Sequence, residues 1–204
     1  MTALHTIHQK LKTTEVLILK QLCMNQVLFK KIGLAITATI SVCILVLLIW
    51  EHYHGGVPSH SFMARKDMPS ISNWWGALLL PVLSWFSIFR LQKRLFLDET
   101  KLVSPQKLQS ALLFFIAGLC YAGSMAYCFV THREDINGVL FPGLFLLALI
   151  LPLYRAEFFL GFVIGMTYTF GAILPTFIAL VFVSISFMAH KYVYPFVLRI
   201  LGRK

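Results

Sequence analysis

Charge is what this sequence has least of. Lysine, arginine, aspartate and glutamate make up 13% of its 204 residues, against roughly 25% in an ordinary soluble domain. So few charged side chains cannot give a globule of this size a water-compatible surface. Acidic residues are the scarcer kind, eight against eighteen basic. None of the apolar spans described below carries an Asp, Glu, Lys, Arg or His at its midpoint. Proton pumps and charge-relay transporters usually need such a buried charge, so its lack moves attention to the ends of the spans.

Cysteine is sparse as well. Cys23, Cys43, Cys120 and Cys128 form no CxxC knuckle and no disulfide framework, and read as small apolar packing residues. There is no HExxH or HxxxH zinc pattern and no G-x-S-x-G elbow for a nucleophilic serine beside His60. No nucleic-acid module is visible, so the net charge of +10 calls for another partner. The basic residues flank apolar runs, which points to membrane orientation and anionic lipid head groups.

What the sequence has in abundance is apolar length. Hydrophobic residues are 58% of the chain, and the mean hydropathy is +0.78. The expected fold is an all-α bundle of six transmembrane helices, at about 32–50, 74–91, 109–130, 138–154, 155–173 and 176–198. The last two come from one stretch, 158–189, with no charged residue in 32 positions. A single helix of that length would reach about 48 Å, well past a ~30 Å hydrocarbon core. Gly171 and Pro175 in "TFGAILPTF" supply the break.

Six spans bring both termini to the same side. With that side cytoplasmic, fifteen of the eighteen Lys and Arg fall inside, leaving Arg65, Lys66 and Arg133 outside. This is the positive-inside pattern. Trp50 and the Trp74-Trp75 pair then share the outer interface. The sequence divides into a surface segment (1–31), a membrane domain (32–198) with an outer loop (51–73), and a basic tail (199–204). Within 1–31, Leu4, Ile7, Leu11, Ile18 and Leu22 recur at roughly helical spacing, as in an amphipathic surface helix. "MNQVLFKKIG" at Met24 also reads as an alternative start. With no glycosylation sequon, a bacterial inner membrane is the expected location.

Polar chemistry gathers on the outer face. The first outer loop carries Glu51, His52, His54, His60 and Asp67, and the second carries His132, Glu134 and Asp135. Imidazole and carboxylate together suit a zinc-like divalent metal. Glu51 and His54 would share a face of a continuing helix, and His52 and His54 a face of an extended chain. The plain alternative is a polar helix cap, with Gly55 as the terminating glycine. In the fifth span Gly161 and Gly165 form a GxxxG, while Thr167 and Thr169 put hydroxyls in its outer half. The glycines suit helix packing, as does the strip Gly118, Ala122, Ala126 in the third span.

Three functions follow as expectations. The first is a transporter-like protein that binds a small solute or ion at its extracytoplasmic face. The second is a membrane enzyme with a histidine/carboxylate metal site, acting on a lipid or lipid-linked substrate. The third is a non-catalytic subunit or assembly factor. Membrane lipids are expected partners in each, and a homo-oligomer or larger membrane complex in the third.

Overall fold

The computed structural model describes residues 24–56, 59–61, 70–96, 102–103 and 105–200, and these are nearly all helical. In order come α1 (Gln26–Tyr53), a 3₁₀ turn (Asn73–Trp75) leading into α2 (Gly76–Leu95), α3 (Pro105–Val130), α4 (Glu134–Ile150), α5 (Ala156–Phe170) and α6 (Ile173–Met188). α6 continues through a π-helical turn (Ala189–Val193) into the short α7 (Tyr194–Ile200). The amphipathic helix expected before Met24 lies outside the described residues.

Four helical stretches are long and apolar enough to cross a membrane: Gln26–Tyr53, Asn73–Leu95, Pro105–Val130 and Ile173–Phe196. α5 is apolar but shorter. Large side chains such as Val46, Leu78, Leu113, Leu146 and Val181 stand exposed along the helices. A soluble monomer rarely shows so much contiguous apolar surface. The helices fit a multi-pass membrane protein.

α5 is the hub of the bundle, with nine of its fifteen residues buried. Small residues put it there. A Cβ at Gly118 of α3 would strike the Phe158 carbonyl oxygen, and one at Gly161 would strike the Phe115 carbonyl. At Gly165 a Cβ would lie 2.7 Å from the Leu119 oxygen. The two backbones therefore touch along the very strips of small residues that the sequence displays. Phe162, Val163, Leu48, Leu144 and Leu153 then fill the core around them. In lipid this contact is held by dispersion between close-packed backbones, because the apolar surroundings offer no hydrophobic driving force.

Leu153 is buried in the turn between α4 and α5, so the backbone polar groups beside it need partners. Ser186 of α6 supplies them. Its Oγ accepts from the Leu153 N–H at 2.9 Å and donates to the Leu151 carbonyl at 2.9 Å. Near this turn Arg94, at the end of α2, forms a two-pronged ion pair with Glu157, in the first turn of α5. Glu157 is buried. Arg155 donates to Ser110 Oγ at 3.2 Å and lies over the Phe114 ring at 4.2 Å. We call this the basic end.

The opposite, histidine end holds the close of α1, the start of α2 and the turn between α5 and α6. The loop there also contains a short antiparallel pair, β2 (Ser59–Ser61) with β3 (Ser70–Ser72), in register His60↔Ile71. The sequence reading had no strand in this loop. Its serines alternate with His60 and Ile71, and three residues a side are too few for periodicity to announce a strand. At the basic end β1 (Met24–Asn25) pairs with β4 (Leu102–Val103).

Candidate functional site

The histidine end is built from helix termini. α1 stops in "WEHYHGG" by a glycine mechanism: Gly55 has φ 125° and Gly56 φ 91°. The Gly56 N–H returns to the Glu51 carbonyl at 3.0 Å, the six-to-one bond of a Schellman-type stop. His54 folds back over this end. Its ring stacks on Trp50 with centroids 3.7 Å apart, and Nδ1 lies 2.9 Å from the Trp50 carbonyl oxygen. That bond puts the ring proton on Nδ1 and makes His54 a cap.

His132 ends α3 in the same manner. Its φ of 53° is the left-handed conformation normally filled by glycine, and the Arg133 N–H returns to the Cys128 carbonyl at 2.8 Å. Glu134 and Asp135 occupy the exposed first turn of α4, where carboxylates complement the positive end of the helix dipole. His52 is exposed and meets the rings of Tyr53 and Trp74 edge-on. His60 sits in β2, and Asp67 falls outside the described residues.

Among the described residues no group of three or more His, Cys, Asp or Glu comes together to hold a metal ion. The expected zinc-like cluster is therefore absent from them. The physical reason is visible in α1. Glu51 and His54 are three residues apart, but His54 turns back toward Trp50 while Glu51 turns toward the bundle.

Glu51 is where the histidine end becomes unusual. Its Oε2 is buried and has no hydrogen-bond partner among the described residues. It lines a narrow space with Leu48, Asn73, Gly76, Thr167 and Gly171, and this space is too tight for a water molecule. α1, α2, α5 and the α5–α6 turn all meet there. Thr167 is buried and donates its hydroxyl proton to the Val163 carbonyl at 2.7 Å, so its oxygen lone pairs remain to accept or to ligate. Thr169 is half-buried and does not line the space.

Ser72 caps the entry to the second span, its Oγ accepting from the Trp74 N–H at 3.4 Å. The Asn73 side chain instead presses on Gly171, where a Cβ would collide with Oδ1. Gly171 has φ 70°, so both its conformation and its surroundings require glycine. No local pattern announces a contact between positions so far apart in the chain. Comparison of the chain with protein-family models, curated proteins and solved structures finds no match in any of the three.

Proposed function

We propose that the chain is a six-crossing, transporter-like protein of a bacterial inner membrane, with both termini cytoplasmic. In this reading it binds a small dehydrated cation at its extracytoplasmic end through Glu51. The observation that carries the proposal is the buried, unpartnered Glu51 Oε2. A carboxylate oxygen withdrawn from water without a partner is costly, and a bound cation offsets that cost. The neighbouring oxygens of Asn73 and Thr167 are hard donors. A single carboxylate balances one positive charge, so the favoured ion is monovalent. The tight space favours a sodium- or lithium-sized ion without its hydration shell over a larger solute.

Two features support the six crossings. α5 starts beside Arg94 and ends beside Asn73, which are the two ends of α2. It therefore runs back along the length of a helix that is itself long enough to span. The positive-inside count supports the orientation.

The test is thermal unfolding of the detergent-purified protein in sodium, lithium or potassium chloride against choline chloride at equal ionic strength. At a hundredfold excess over the dissociation constant a bound ion adds about 2.7 kcal/mol, or a rise of roughly 5 °C or more for a chain this long. The rise should follow ion size in the wild type and vanish in Glu51→Gln. Identical unfolding in all four salts, or an ion response that survives in Glu51→Gln, would rule the reading out.

A further inference from the structure

A second cavity lies at the opposite end. It has a volume of about 720 Å³ and lies between the last turns of α2 and the start of α5. Arg90, Lys93, Arg94 and Arg155 line it, and among the described residues the acid on its wall is Glu157. We propose that this cavity binds a phosphoryl anion, the shared chemistry of a phospholipid head group and free phosphate.

Arg94 holds Glu157 through two hydrogen bonds, so this pair is internally neutral. Among the described residues Arg90, Lys93 and Arg155 remain as three cations around one space. Their positive charges repel one another, and an anion between them removes that cost. Each is held in place by an aromatic ring. Arg90 lies 5.9 Å from the Phe86 centroid, Lys93 4.8 Å from Phe89 and Arg155 4.2 Å from Phe114. Arg155 is further fixed by its bond to Ser110, which uses one of five N–H donors. Pre-positioned guanidinium groups suit the tetrahedral, multiply accepting oxygens of a phosphoryl group.

The backbone adds to this field. Ala156 and Glu157, the first residues of α5, also line the cavity, and Arg155 caps the helix without a side-chain bond. The positive end of the fifteen-residue helix therefore opens on the same space. The volume is in the range of small-ligand sites, about 300–1,000 Å³. Basic pockets between transmembrane helices are a recurrent form of head-group site.

The test compares the full-length wild type with Arg90→Gln/Lys93→Gln, which leaves the Arg94–Glu157 pair intact. The control is Lys30→Gln/Lys31→Gln on α1, which removes the same charge from residues that do not line the cavity. Delipidated protein in detergent is offered equimolar phosphatidylglycerol and phosphatidylcholine, and retained lipid is read by native mass spectrometry. In a second arm sodium phosphate replaces sodium chloride at constant sodium and ionic strength, and thermal unfolding is read.

Selective retention of phosphatidylglycerol, reduced about tenfold or more in the cavity variant and unchanged in the control, identifies a lipid head group. Stabilisation by phosphate with the same dependence on the variants, and no lipid selectivity, identifies a soluble phosphoryl ligand. Equal retention of the two lipids without a phosphate effect overturns the proposal. So does an equal loss in cavity variant and control, which would mean diffuse charge attraction. The single variants Arg90→Gln and Lys93→Gln, each expected to lose part of the effect, give the same readings if the double variant does not fold.

Discussion

At the scale of single residues, two histidines at this end of the bundle, His54 and His132, serve to end helices. His132 adopts a left-handed conformation that costs an L-residue roughly 1–2 kcal/mol. Replacing it with glycine should raise the thermal unfolding temperature by a few degrees, while valine should lower it. A drop with glycine would show that the imidazole contributes more than its backbone angle. Glu51 belongs to a different class, since its Oε2 gives up hydration and meets no partner among the described residues. The sequence placed these residues on one face, because hydropathy and charge asymmetry locate the ends of spans. It could not assign their roles. Whether His54 reaches outward or folds back on Trp50 depends on the turn geometry at Gly55 and Gly56. Whether Glu51 faces lipid or bundle depends on how α1 is rotated against α2 and α5.

At the scale of elements, the α3–α5 contact was legible because glycine strips leave a pattern that survives without coordinates. It also makes a sharp prediction. Gly161→Leu would drive a side chain into the Phe115 backbone, so the variant should lose its folded peak in detergent gel filtration. Gly123→Ala, on the same helix pair but with open space at its Cβ, should keep it. A well-folded Gly161→Leu protein would mean that the helices can separate at small cost. Helix limits were read less well. α1 begins at Gln26, six residues before the expected span, because Lys30 and Lys31 can keep long apolar stems along the helix while their ammonium groups stay in water. α4 begins at Glu134, where its acidic first turn favours helix. α6 passes through His190 and Lys191 by widening into a π turn, an event with no sequence signature.

At the scale of the whole molecule, the crossing number is the property most in need of measurement. Single cysteines introduced at 56 and 203 in a cysteine-free background should label from opposite sides of the membrane with an impermeant maleimide. The outer side should reach 56. Labelling of both positions from the same side would require an odd number of crossings and would break the six-span reading. The composition already indicated the membrane, since a chain with this little charge has no other way to dissolve its surface. Composition did not show the separation of chemistry between the two ends. The cations crowd a large cavity at one end, and at the other a carboxylate oxygen without a partner among the described residues lines a narrow space.

The shortness of α5 has a physical result. Its fifteen residues rise only about 22 Å, less than the ~30 Å of hydrocarbon. Because α2, α3 and α6 sheathe it, the bilayer need not thin to match it. Arg155, immediately before α5, bonds Ser110, which is already five residues into α3. The helix is thus recessed at its start, where the basic cavity opens. Aqueous ions entering that cavity would move the conducting boundary on the basic side inward at this helix. The membrane potential, worth about 2.3 kcal/mol per elementary charge per 100 mV, would then fall chiefly across α5. A charge bound at Glu51, in a space too tight for water, would lie inside that field.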